Sequence, residues 1–370
     1  MSPIYIGLDA DMSAFAAEGG QAIYQGAMTA INEINHNGGV LDRPLELIVR
    51  YHRGNPARGI RNIQAFSQTP DMVAVLGGVH TPVALQELAL IHQQELIYLG
   101  PWAAGTAIVD NGYEPNYVFR VSIRDAEAAK VLLAHIQEQG ISNIALVLER
   151  TGWGRSNLAS ITEQAKQRDI TVSQVTWINW RQQQFDDEVA LIADSGAKAI
   201  VMVANAPEGA VVVKAVLQNK ATGALPIVSH WGVAGGNFVQ RLGLETLKQI
   251  NLSVLQTFHF ELPGNQKIIK RVLAAYNAAN PGYENGSAIP GAVGLAHAYD
   301  LVYLLAQAIE QAKSIKAPEI RQELLNIDEY QGLVKTYQQP FKQGQQDALW
   351  AKDYIMTRYN ELGHLVPFTD

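Results

Sequence analysis

The 370-residue sequence contains no cysteine, which removes disulfides, thiolate metal sites, cysteine nucleophiles and cysteine-borne lipid anchors from consideration and leaves the redox compartment open. It also lacks any block of like charge: 28 basic and 35 acidic residues are scattered along it, for a net charge of −7. Without a basic patch to follow phosphates, nucleic acid is not an expected partner. No uninterrupted apolar run reaches the ~18 residues of a membrane span; the longest candidate, 291–309, is broken by His297 and Asp300. Direct membrane insertion is therefore not expected. The chain begins with neither a positive n-region nor an apolar h-region, so either the protein is cytosolic or a signal segment has been removed.

Catalytic and cofactor motifs are missing as well. The phosphate-cradling patterns GxxxxGK[ST] and GxGxxG do not occur; Gly77-Gly78 follows a strand-like run but lacks the third glycine and the lysine. Of nine histidines no two lie within four residues of each other, so no helix-borne metal pair exists and no metal or cofactor is expected. A GxSxG elbow is absent, because Leu158 stands where the second glycine should follow Ser156. His80, His230 and His259 have no visible partner pairing and read as hydrogen-bonded structural residues. Nothing in these patterns favours an enzyme.

What is present is apolar material, 48% of residues against 17% charged, on a chain long enough for two cores. Apolar runs at 4–8, 45–49, 73–76 and 96–99 read as strands, alternating with helical periodicity at 22–34 and helix starts at Asn55-Pro56 and Thr81-Pro82. After a Gly- and Pro-containing loop the pattern restarts: helices at 126–137, 156–166, 186–193 and 208–217 alternate with strands at 144–148, 171–177, 199–203 and 227–229. Helices follow at 266–278, 292–312 and 318–326, then a strand at 353–359 with a turn at 360–363. This alternation predicts an α/β fold of two mainly parallel sheets flanked by helices, with the lobe boundary near 119–123.

In open parallel sheets ligands sit outside the carboxyl ends of the strands, so the strand-to-helix junctions are the candidate site. The first is Gly77-Gly78-Val79-His80-Thr81-Pro82, where Thr81 suits an N-cap and Pro82 the first helical position; a carboxylate or carbonyl site and a plain capped helix are both consistent with it. The second, Trp102-Ala103-Ala104, puts an aromatic among small residues, as a ligand wall or as a core plug. The third, Gly152-Trp153-Gly154, suggests a turned loop presenting a ring. Asn205-Ala206-Pro207 and His230-Trp231-Gly232 end two further strands.

Several segments carry a family resemblance. Met12-Ser13 follows the opening strand; Glu33-Ile34-Asn35 precedes Gly38-Gly39-Val40-Leu41-Asp42-Arg43-Pro44-Leu45-Glu46-Leu47; Asn111-Gly112-Tyr113 leads to Phe119-Arg120; and Ala298-Tyr299-Asp300 is followed by Tyr303-Leu304-Leu305. Over essentially the whole chain these resemble the type I periplasmic solute-binding proteins of the leucine/isoleucine/valine-binding family. The resemblance implies a Venus-flytrap fold with three hinge crossings, lobe 1 at 1–120 plus 257–332 and lobe 2 at 121–256 plus 333–370. It further implies a periplasmic or extracellular protein that binds a small organic molecule between its lobes for an ABC-type permease. A ligand-sensing domain of the same fold is the alternative, and an enzyme a distant one.

Carried over residue by residue, the family's carboxylate-binding hydroxyl falls on Thr81, next to His80. Its contacts at the second junction fall on Trp102, Ala103 and Ala104, where the hydroxyl is lost, and its second-lobe tyrosine becomes Trp153. Three departures bear on the ligand: an aromatic becomes Asn205, the acid that would face an α-ammonium becomes Trp231, and the opening-loop tyrosine becomes Gly19. An amino-acid zwitterion would lose its cation partner, which is costly when buried. The expectation is a ligand with a planar or aromatic body and one carboxylate or carbonyl, stacked by Trp102, Trp153 and Trp231.

Overall fold

A computed structural model describes residues 2–283 and 285–368. The first stretch runs β1 (Ile4–Ala10), α1 (Ala17–His36), β2 (Leu45–Tyr51), α2 (Pro56–Ser67), β3 (Met72–Leu76), α3 (Thr81–Gln93), β4 (Ile97–Gly100) and β5 (Val118–Arg120). Next come α4 (Asp125–Glu138), β6 (Asn143–Glu149), α5 (Gly152–Gln167), β7 (Thr171–Ile178), α6 (Asp186–Asp194), β8 (Ala199–Val203), α7 (Ala206–Gln218), β9 (Ile227–Ser229), α8 (Phe238–Leu242), α9 (Leu244–Leu247) and β10 (Leu252–Gln256). The last stretch holds α10 (Gln266–Ala279), α11 (Ala292–Ala312), α12 (Ala317–Asn326), β11 (Glu329–Gln331), β12 (Thr336–Gln338), β13 (Ile355–Tyr359) and β14 (Leu365–Pro367).

The chain divides into two compact units, Met1–Ile123 with Phe260–Trp350, and Arg124–His259 with Ala351–Asp370. In unit 1 five parallel strands lie in the order β2-β1-β3-β4-β5. In unit 2 the strands β7-β6-β8-β9-β10 repeat that order, and β13 and β14 extend the sheet antiparallel. Each sheet therefore reverses direction beside its first strand, the switch point at which such sheets open a crevice at the strands' carboxyl ends. Strands such as β8, buried at every residue, are continuous apolar runs because helices cover both faces.

Helices form where the apolar period calls for them. The stripe Ala22, Ile23, Ala27, Ala30, Ile31 and Ile34 is the buried face of α1. At α2 the Asn55 side chain accepts from the N–H groups of Ala57 and Arg58 and Pro56 takes the first helical position, as the sequence suggests. The 21-residue α11 is long and apolar enough to cross a membrane by composition, yet 83% of its most apolar stretch is buried inside unit 1. It is the core helix of that unit and lies against α1 so closely that a β-carbon on Gly26 would come within 2.0 Å of the Leu295 carbonyl oxygen.

The segment 333–350, expected in lobe 2, belongs to unit 1. The cause is Asp300, a fully buried carboxylate on α11 that accepts from the N–H groups of Leu333 and Val334 and from the Tyr337 hydroxyl at 2.6, 3.0 and 2.7 Å. Farther along, Ala348 donates to the Arg120 carbonyl, and Asp347 pairs with the Arg120 guanidinium.

Candidate functional site

In unit 1 the candidate residues gather at the ends of β1, β3 and β4. The N-cap of α3 is His80 rather than Thr81, which occupies the first helical position with Pro82 behind it. Released from capping, the Thr81 hydroxyl oxygen accepts from the Gly105 N–H at 3.2 Å. His80 is held by Asp11, just past β1, at 2.9 Å, and its ring lies 4.9 Å from that of Phe15. Burial would raise the Asp11 carboxyl, but the His80 hydrogen bond and charge outweigh it and the group lies below its ordinary value. Burial and the neighbouring His80 hold His52 down at about 3, so that ring is neutral and its Nδ1 accepts from the Gly54 N–H.

The second junction is fastened from below. The buried Arg120 guanidinium donates to the carbonyls of Ala103 and Gly105, the Ser122 hydroxyl donates to the Trp102 carbonyl at 2.7 Å, and Ala103 donates to Gly78. The Trp102 ring is the core plug that the sequence allowed: the residue is 1% exposed and its ring lies 2.7 Å from where a β-carbon on Gly294 of α11 would stand. With these carbonyls occupied, what the junction turns outward is donor chemistry. Among the described residues, neither the Ala104 N–H nor the Thr81 hydroxyl hydrogen has an acceptor.

In unit 2 the third junction is not a loop. Gly152-Trp153-Gly154 forms the first turn of α5, because the helix start sits so tightly on β6 that a β-carbon at Gly154 would meet the Glu149 carbonyl at 1.8 Å. Trp153 Nε1 and His230 Nε2 both reach Asp125 Oδ1, at 3.2 and 3.1 Å. His230 Nδ1 accepts from the Trp231 N–H, which puts the ring proton on Nε2 as the donor to Asp125. Trp153 meets His230 edge-on, with centroids 5.0 Å apart at 83°, and His230 lies 6.2 Å from Trp231. Asp125 is completely buried, and its Oδ2 has no hydrogen-bond partner among the described residues.

Asn205 caps α7 and is tied to the end of β6, since Glu149 Oε1 accepts from both its backbone N–H and its Nδ2 at 2.7 Å. Glu149 Oε2 accepts from the Trp180 indole at 2.7 Å, and Glu208 accepts from the Arg181 N–H at 2.8 Å. Burial, with the Glu208 charge adding to it, pushes Glu149 up to about 8 against those hydrogen bonds.

The folded chain thus brings His80, Thr81, Trp102, Ala103 and Ala104 together in unit 1 and Trp153, Asn205 and Trp231 in unit 2. Sequence reasoning missed the acids that hold them: Asp11, Asp125 and Glu149 each stand at a strand end or in a helix's first turn, far in sequence from their partners. Asp125, opening a helix after the expected lobe boundary, is the one that helix-start chemistry could have flagged.

A family model described as periplasmic binding protein matches residues 3–361. Among curated proteins the chain is similar to the Leu/Ile/Val-binding protein homolog 3 of Brucella melitensis, 23% identical over 243 residues, which cover 63% of this chain and 65% of that protein. Among solved structures it is similar to the branched-chain amino acid transporter substrate binding protein of Streptococcus pneumoniae in complex with isoleucine, with TM-score 0.82 and 20% identity over 98% of this chain and 97% of that one. It is also similar to an ABC transporter solute binding protein of R. palustris in complex with 4-hydroxybenzoate, with TM-score 0.80 and 18% identity over 100% and 96%. The fold they share is the two-lobed type I arrangement of parallel sheets flanked by helices.

Proposed function

The chain belongs to the periplasmic binding protein family, and from that premise we propose that it is an extracytoplasmic solute-binding protein that captures a small organic carboxylate and passes it unchanged to an ABC-type permease. The observation that carries the reading is the donor pair of unit 1. The Thr81 hydroxyl and Ala104 N–H lie at the carboxyl ends of β3 and β4 with no acceptor among the described residues. Groups this buried, 3% and 2% exposed, are costly to leave unpaired. A carboxylate or carbonyl supplies the missing acceptor, and the α3 N-terminus favours negative charge there.

In unit 2 the Trp153, His230 and Trp231 rings favour a ligand with a planar body. A second reading, an amino acid, is favoured by one observation. The acid absent at Trp231 has a substitute in Asp125, whose buried Oδ2 has no donor among the described residues and suits an ammonium or a hydroxyl. Both readings keep the carboxylate at Thr81 and Ala104.

The test is titration with 4-hydroxybenzoate, benzoate, L-isoleucine and their amides, followed by tryptophan fluorescence and calorimetry. Carboxylates are expected to bind, and Thr81→Ala to weaken them about tenfold, the worth of one buried hydrogen bond. Binding that ignores the carboxylate, or that Thr81→Ala leaves intact, rejects the assignment.

A further inference from the structure

We propose that Glu149 is a positioning residue that fixes the Asn205 amide with its carbonyl oxygen outward, so that this end of unit 2 selects ligands carrying a hydrogen-bond donor. The inference rests on the binding function proposed above and adds a chemical preference to it.

The geometry leaves Asn205 one orientation. Its backbone N–H and its Nδ2 converge on the same atom, Glu149 Oε1, each at 2.7 Å. Turning the amide over would set Oδ1 against that oxygen, acceptor facing acceptor. Glu149 itself cannot swing away, because its other oxygen is held by the Trp180 indole. A carboxyl group has about four acceptor positions, and three N–H groups take three of them, which leaves one for the proton that burial favours on Glu149. Glu149 therefore meets Asn205 as an acceptor with or without that proton. With Nδ2 committed inward, Asn205 presents Oδ1, which accepts no bond from any described residue. Asn205 is only 5% exposed, so a ligand group arriving there without a donor strips water from an amide oxygen and returns nothing. Sites of this kind reject analogues that lack the matching group more strongly than apolar pockets do.

The experiment measures discrimination, a ratio that loss of general stability does not move. Calorimetry compares two probe pairs differing by one donor: 4-hydroxybenzoate against benzoate, and L-isoleucine against 3-methylpentanoate. Wild type is expected to prefer the donor-bearing member of at least one pair by roughly fivefold to thirtyfold, the range one buried hydrogen bond brings. Asn205→Ala should reduce that ratio to near one. Glu149→Ala should do the same while Asn205 is still present, and Glu149→Gln, which keeps an oxygen for Asn205, should restore most of it. Should Glu149→Ala fail to fold, Asn205→Asp carries the test, since a carboxylate facing Glu149 must turn away and the ratio must change. Preference that survives Asn205→Ala, or that is lost equally in Glu149→Gln and Glu149→Ala, overturns the positioning role while the binding function stands. Wild type that binds no member of either pair overturns both.

Discussion

The two lobes bury an acid pair at the same topological place and surround it with different partners. In each, one carboxyl group lies at or near the end of the sheet's first strand and the other on the helix that follows the third: Asp9 and Glu87 in unit 1, Glu149 and Glu208 in unit 2. In unit 1 the Asn62 amide donates to Asp9 Oδ1 at 2.6 Å. Among the described residues the buried Asp9 Oδ2 and Glu87 Oε1 have no hydrogen-bond partner. Burial raises Asp9 to about 6 and, together with the Asp9 charge, holds Glu87 well above its ordinary value. In unit 2 N–H groups from Asn205, Trp180 and Arg181 meet the pair, and burial still raises Glu149 to about 8. A repeated fold therefore repeats the burial of acid but not its partners: the pair in unit 1 receives an N–H from Asn62, whereas the pair in unit 2 is met by N–H groups from Asn205, Trp180 and Arg181, the first of which belongs to a candidate site.

The sharpest way to break the symmetry is Arg120→Ala. Its removal takes the guanidinium away from the buried Asp347 and frees the carbonyls of Ala103 and Gly105. A loss of about 3–5 kcal/mol in denaturant unfolding is expected, with ligand binding lost alongside; a loss below about 1 kcal/mol would mean the junction is held by packing alone.

Next in size is a pH effect. Asp9 and Glu149 have folded-state values raised to about 6 and about 8, so the folded chain holds protons that the unfolded chain has released. Their stabilisation is complete below the ordinary carboxylate range, falls as pH rises, and is gone once each folded value is passed. Stability should decline by a few kcal/mol between about pH 4 and 8. Glu87→Gln should flatten the lower part of that decline and Glu149→Gln the upper part, as read from unfolding midpoints at fixed ionic strength. A flat profile would show that neither pair holds its proton.

Smaller, and confined to binding, is Asp125→Asn. If the ligand carries an ammonium, affinity should fall roughly tenfold to a hundredfold, the worth of a hydrogen bond to a charged group; for a neutral aromatic acid the change should stay within about threefold. The least effect is expected from Asn62→Ala, which removes a donor to Asp9 and should cost about 1 kcal/mol and shift the acidic limb of the stability profile upward.

Much of the frame was legible in the sequence, and the exceptions follow a rule. The runs at 199–203, 227–229 and 292–312 match β8, β9 and α11 residue for residue, because burial shows itself as a predominantly apolar sequence. The three-residue strands β5, β11, β12 and β14 and the five-residue β10 were not anticipated; their pairing depends on neighbours that no local pattern announces. Trp153 was expected in a loop because glycines flank it, yet those glycines serve close contact within a helix. The placement of 333–350 turned on Asp300, whose partners lie 33 to 37 residues away. For the site, residue types at the strand ends were readable, whereas the carboxylates that aim them belong to tertiary contacts. No local spacing encodes those.

Neither unit is continuous in the chain, since unit 1 is made of residues 1–123 and 260–350 with most of unit 2 between them. During synthesis the apolar face of α1, whose seat is α11, must therefore wait for the 255 residues between the two helices to emerge before it can be covered, roughly ten to fifty seconds at ribosomal rates. Any machinery that must keep this polypeptide loose, whether to guard it from aggregation or to thread it through a pore, has its interval of opportunity set by the order in which the two halves of one core leave the ribosome.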